Sequence, residues 1–215
     1  MPVQVEVWGK YACFSRPELK TERVSYDVMT PSAARGLIEA IYWTPEISWK
    51  IDRIHVLSPV CFVNVRRNEV KSKIPHSTIQ SARSGLPVPL YLYTAADIQQ
   101  RSALILQNVH YVIDAHFELT ALAAHGGNAG KFASIVNRRL KKGQCYYQPY
   151  FGCREFPANF RRWDGGRIPA IDETRDLGLM LYDMDFHDPA NITPMFFRAR
   201  LEHGVLSVAG CEVYR

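Results

Sequence analysis

A chain of 215 residues, 47% hydrophobic and 22% charged, is long enough to bury a core without staples. Its formal net charge of +5 favours nucleic acid or another polyanion as partner. Five scattered cysteines with no C-x-x-C pair argue against a disulfide framework and a zinc ribbon. No apolar run approaches the length of a membrane span, and the opening MPVQVEVWGK lacks the regions of a signal peptide, so the expected location is cytoplasmic.

Val3, Val5 and Val7 alternate with polar residues and predict a half-buried strand over residues 2–8. Residues 10–28 are mixed and charged and predict a long loop. Thr30 then caps a helix with Pro31 at its first position, and Ala34, Leu37, Ile38 and Ile41 form its buried face. Pro45 closes that helix and leaves Tyr42 and Trp43 at its end. Residues 48–65 are rich in Ile and Val, with a break at Ser58-Pro59, and predict a hairpin. The basic stretch VRRNEVKSKIP follows at 65–75, and the Ser, Arg, Gly and Pro of 76–90 predict a mobile segment or long excursion. Residues 104–119 predict a long strand or a bent pair.

The stretch from Asn128 to Phe156 predicts a helix and then a strand at 150–156. Asn128 caps the helix; Phe132, Ile135, Val136 and Leu140 make its apolar stripe; Gly143 ends it. Lys131, Arg138 and Lys142, at i, i+7 and i+11, make a basic ridge beside that stripe. The element order is the βαββαβ pattern of a ferredoxin-like α+β domain over 1–156. Residues 157–215 predict a small antiparallel β-sheet domain with a turn at His203-Gly204.

Three basic segments stand apart in sequence: Arg66, Arg67, Lys71 and Lys73; Lys131 with Arg138 to Lys142; and Arg161, Arg162 and Arg167. Tyr42, Tyr146, Tyr147, Tyr150 and Trp163 interleave with them, as stacking of single-stranded RNA bases requires, although no RNP1-like motif is present. Asp183, Asp185 and His187 share one strand face, as the ligands of a metal nuclease would. The reading preferred for them is solvent exposure or pairing with nearby arginines. His110, His116 and His125 lack zinc-ligand spacing with any Cys pair, and there is no G-x-S-x-G elbow and no phosphate-binding Gly-rich loop.

GLIEAIYW at 36–43, VRRNEVKSKI at 65–74, GKFASIVNRRLKKGQCYYQPYFGCREF at 130–156 and LGLMLYDMDF at 177–186 together resemble the CRISPR-associated Cas-five family. The match is to its subtype I-C (Dvulg) branch, and it covers nearly the whole chain in order. The resemblance implies a RAMP-superfamily protein, with a ferredoxin-like domain followed by a small β-sheet domain. It implies cleavage of precursor CRISPR RNA in the repeat hairpin by metal-independent 2′-OH attack, with no cofactor. It also implies that the protein then holds the crRNA 5′ handle as a subunit beside the backbone and large subunits of a Cascade complex, and is a monomer when isolated.

The family's catalytic set is a Tyr at the end of the first helix and a Lys-His pair at the start of the second. Tyr42 and Lys131 match the first two, whereas Phe132 stands where the family has His. The missing general acid then falls to His125, to His116 or to Lys131 itself. Tyr42 can act as base only if a neighbouring cation lowers its pKa. Arg66, Arg67, Lys71, Arg138, Arg139 and Lys142 are the expected phosphate contacts. Two other readings remain: a handle-binding subunit that does not cut, and a metal-dependent nuclease built on Asp183, Asp185 and His187.

Overall fold

The computed structural model describes residues 2–19, 21–125, 128–188 and 190–215, without the side chains of 124 and 125. It divides into two compact units, residues 1–63 with 104–215, and residues 64–103. The chain is an α+β protein dominated by antiparallel strands: β1 (Val3–Ala12), β2 (Ile47–Val56), β3 (Phe62–Val70), β4 (Ile98–Leu119), β5 (Asn159–Arg162), β6 (Arg175–Asp185), β7 (Thr193–Glu202), β8 (Val205–Ser207) and β9 (Val213–Tyr214). With them, among the described residues, are the helices α1 (Pro31–Ile41), α2 (His76–Arg83) and α3 (Ala129–Lys142).

In the larger unit the strands run in the order β5-β1-β4-β2-β8-β7-β6, and β9 adds to β7. Strand β1 pairs antiparallel with β4 from Val3 opposite Ala115, and β2 takes the other side of β4 from Ile47 opposite Leu119. Alternation along β1 buries Val3, Val5 and Val7 and turns Gln4, Glu6 and Trp8 to the other face. Leu37, Ile38 and Ile41 of α1 are almost fully buried, each worth about 1.5–3 kcal/mol relative to exposure. α1 packs against β2 and β6, and α3 against β5. An aromatic chain fixes α3: Trp49 meets Phe117 edge-on at 5.4 Å, and Phe117 meets Phe132 at 6.4 Å.

Both helix starts follow from the sequence. Thr30 Oγ1 accepts from Ala33 N–H at 3.2 Å, and Asn128 Oδ1 accepts from Gly130 N–H at 2.8 Å. Gly143 closes α3 in the left-handed conformation, φ +63°. The His203-Gly204 turn joins β7 to β8.

Two local expectations fail, and a third gains an element. The strand expected over 150–156 is a turn, because Gly152 sits at φ +77° with its Cα against the Cys13 carbonyl; the pairing strand is β5, a few residues later. The hairpin expected at Ser58-Pro59 does not form, since β2 and β3 both pair with β4 instead. The segment after residue 75 carries α2, a helix with no buried residue and therefore no apolar stripe to announce it.

The smaller unit is held together locally. Lys71 N–H donates to the Asp97 carbonyl at 2.9 Å, and both Asp97 carboxylate oxygens accept from Ser72, at 2.8 and 2.9 Å. Arg101 lies 3.4 Å from Glu69.

The face of the sheet carrying Glu6 holds three histidine–carboxylate pairs. His110 meets Glu6 at 2.8 Å, His55 meets Asp114 at 2.9 Å, and His116 meets Asp52 at 2.9 Å. Burial pushes the Glu6 carboxyl up, but bonds from Arg161 and His110 outweigh it and hold the group below its ordinary 4.5.

Two consequences are testable by urea unfolding. Gly152→Ala places a Cβ 2.0 Å from the Cys13 carbonyl oxygen and costs about 1–3 kcal/mol, whereas Gly36→Ala, with open space around its Cβ in α1, gains about 0.5–1 kcal/mol. Equal effects at the two positions would contradict this packing. The depressed Glu6 contributes stability above pH 4.5 that is lost as pH falls through its lower folded value, so Glu6→Gln is weaker at neutral pH and shows a flatter acid limb.

Candidate functional site

The end of α1 is built to hold Tyr42. A helix leaves its last carbonyls without partners, and here each of three in succession finds one from elsewhere. The Ala40 carbonyl accepts from Tyr146 N–H at 2.9 Å and Tyr147 N–H at 3.3 Å. The Ile41 carbonyl accepts from the Arg139 guanidinium at 2.5 Å, and the Tyr42 carbonyl from the Trp49 indole at 2.9 Å. Tyr42 itself is only 9% exposed, and the Arg139 guanidinium lies 5.0 Å from its ring centre.

Burial is the larger influence on the Tyr42 phenol and pushes its pKa above 10.0; Arg139 works against that, and Glu46 adds to it. The neighbouring cation that a basic Tyr42 would require is therefore present but outweighed. Tyr42 keeps its proton at neutral pH and presents an O–H.

Tyr42 is thus brought to Arg139, an expected phosphate contact. Lys131 stands in the first turn of α3, eight residues earlier and about 12 Å back along the axis. Its side chain is exposed and makes no hydrogen bond or ion pair among the described residues. Phe132 beside it is 4% exposed and faces the core. The His125 side chain lies outside the described residues. His116 stands on β4 with its Nδ1 held by Asp52.

Arg138 and Lys142 are exposed on the outer face of α3, where Lys141 and Arg162 of β5 join them around a hollow of about 460 Å³. Arg66, Arg67 and Lys71 belong to the smaller unit. Within it Arg67 lies 3.9 Å from Glu69, while the Arg66 and Lys71 side chains make no ion pair among the described residues. Asp183 accepts two bonds from Arg35, both 2.9 Å, and Asp185 lies 3.7 Å from Arg215. Those carboxylates are committed to arginines, as the preferred sequence reading expects.

Arg162 is the residue that sequence reasoning did not single out as a contact. The sequence groups Arg161 and Arg162 with Arg167 as one basic segment, and nothing in it separates the two neighbours. As strand β5, NFRR turns Arg161 onto Glu6 and Arg162 to the side of α3. The signal was the alternation itself, over too few residues to be recognised alone.

The family model described as CRISPR-associated protein (Cas_Cas5), of the Cas5d type, matches residues 3–209. A protein of Mannheimia succiniciproducens named CRISPR pre-crRNA endoribonuclease Cas5d is 47% identical, over 96% of this chain and 94% of its own. One of the same name from Thermus thermophilus is 40% identical, over 99% of this chain and 95% of its own. Two solved structures share the fold at TM-score 0.70 and 20% identity, each covering 100% of this chain and 97% of the other: a CRISPR-associated protein and a functionally uncharacterized protein from Streptococcus mutans. With the match spanning nearly its whole length, the chain belongs to the Cas5d family of CRISPR-associated proteins.

Proposed function

We propose that this chain is an endoribonuclease that cleaves precursor CRISPR RNA in the repeat hairpin and keeps the 5′ handle as a subunit of a type I-C Cascade complex. The observation that carries the reading is the 47% identity, over nearly the full length of both chains, to a protein named for that activity. The reading includes a ferredoxin-like core made of β1, α1, β2, the later part of β4, α3 and β5. The strand order β5-β1-β4-β2 supports it. β6 to β9 then form the C-terminal sheet portion, with the boundary after β5 rather than at residue 157.

The reaction needs no metal in this reading. The ribose 2′-OH gives up its proton to water as its oxygen bonds to the adjacent phosphorus, a phosphorane carrying extra negative charge forms, and the P–O5′ bond breaks as the 5′-oxygen takes up a proton. The products are a 2′,3′-cyclic phosphate and a 5′-hydroxyl. Lys131, unpaired and exposed, supplies fixed positive charge to the phosphorane. Tyr42, held protonated by burial, donates its O–H toward the phosphorane or leaving oxygen instead of serving as base, and Arg139 beside it adds a second positive charge. Of the two histidines named for proton transfer, His116 has its side chain described; it is held by Asp52 on the Glu6 face of the sheet, whereas the neighbouring Phe117 faces α3. Arg66, Arg67, Lys71, Arg138 and Lys142 hold phosphates without reading sequence.

Single-turnover cleavage of the cognate repeat RNA in excess EDTA tests this reading. The wild type cuts, Lys131→Ala and Tyr42→Phe each lose about 10²-fold or more in rate, and binding persists. Because the Tyr42 pKa is raised above 10.0, the wild-type rate shows no Tyr-dependent fall as pH rises from 7 to 10. Binding without cutting by the wild type would leave a handle-holding subunit, and cutting only with divalent ions would move the chemistry elsewhere. Phe132→His, which restores the family residue, loses about 1–3 kcal/mol of stability and does not raise the rate, since position 132 faces Phe117 in the core. A faster Phe132→His enzyme would show that the ring reaches the RNA.

A further inference from the structure

Two hollows of the larger unit meet at Asn137 and Arg162. The first runs along the outer face of α3, where Ser134, Asn137, Arg138, Lys141 and Lys142 recur at i, i+3, i+4, i+7 and i+8, and Arg162 closes it from β5. Four of these six side chains are cations and none is acidic. Among the described residues, none of the four cations makes an ion pair or hydrogen bond through its side chain. Four like charges held together without a counter-charge repel one another, and an anion laid along them removes that cost.

The second hollow, about 610 Å³, opens at the start of β1 and is lined by Gln4, Arg53, Asn137, Arg162 and Trp163 among others. That volume suits a nucleotide-sized ligand. Its two carboxylates are already committed, Asp114 to His55 and Gln4, and Asp52 to His116. Arg162 is left to meet an anion, and Arg53, whose charge also favours the Asp114 carboxylate, stands in the same hollow. Trp163 supplies an aromatic ring, and Asn137 an amide with no side-chain partner among the described residues. A basic groove that leads to an aromatic side chain is the arrangement that holds single-stranded nucleic acid.

We propose that the two hollows are one path for single-stranded RNA, with phosphates along Arg138, Lys141, Lys142 and Arg162 and one unpaired nucleotide in the cavity at the start of β1. This rests on the reading above that the ligand is RNA. It adds the direction the strand takes on leaving α3, and it adds Lys141, Arg162, Asn137 and Trp163 as contacts.

The test uses the full chain and cognate repeat RNA with 2′-O-methyl sugars, which binds but cannot supply the nucleophile. Affinity is measured over a salt series, for RNA with and without its single-stranded flanks. Arg162→Ala and Lys141→Ala each weaken binding about 3–10-fold and lower the salt slope by about 0.7–0.9 per charge removed. Asn137→Leu weakens binding of the flanked RNA about 3–10-fold and leaves the flankless hairpin unchanged. Arg200→Ala, which removes a charge from β7, changes neither.

Wild-type slope and affinity retained in Arg162→Ala would overturn the path, as would equal losses in Arg162→Ala and Arg200→Ala. Displacement by polyglutamate as effective as by RNA of equal charge would reduce the surface to a general anion site and also overturn it. Cleavage of unmodified RNA by the wild type is followed in parallel: if it cuts while Arg162→Ala binds normally, the nuclease reading stands and the path falls. If the wild type neither binds nor cuts, both fall.

Discussion

The contact between Phe132 and Phe117 sets the rotation of α3, and much of the candidate site depends on that rotation. Once Phe132, Ala133, Val136 and Leu140 are turned to the sheet, Lys131, Arg138 and Lys142 have only the outer side left to occupy. The same rotation carries Arg139 to the end of α1 and Ser134 and Asn137 to the rim of the hollows. Burial of one aromatic ring thus fixes the position of nearly every polar group on the helix. Position 132 serves the core.

α3 was the most legible part of the chain, because its cap, stripe, ridge and closing glycine all lie within one local stretch. α1 was legible for the same reason. What stayed hidden depended on partners far away in sequence. The Ser58-Pro59 break reads as a hairpin, yet both flanking strands prefer β4, and no local signal weighs β4 against a neighbour. β5 is four residues long and becomes a strand only because Glu6 and Val7 pair with it. The environment of Tyr42 is not legible in the sequence: the need for a cation beside a basic Tyr42 is chemical, but Arg139 reaches the ring and burial outweighs it only through packing across several elements.

The charged groups of the larger unit fall into two populations. On the Glu6 face of the sheet, carboxylates and cations answer one another, as in the Arg161–Glu6–His110 cluster. On the outer face of α3 the cations have no such answer among the described residues. Net charge alone does not distinguish these arrangements, since a positive excess spread over compensated pairs attracts little. Concentrated on one face, it produces a local field that acts on a polyanion.

The guanidinium of Arg139 belongs at once to α3 and to the end of α1, where it satisfies the Ile41 carbonyl and covers the Tyr42 ring. Any phosphate that draws this group away leaves a helix terminus short of a donor. Any phosphate that meets it in place tightens that terminus. The order of the last turn of α1 and the hold of Arg139 on a phosphate are therefore linked, and linkage is reciprocal: where the phosphate meets Arg139 in place, fraying α1 loosens that hold, and where it draws Arg139 away, fraying strengthens it. The joint between the two helices transmits load in both directions.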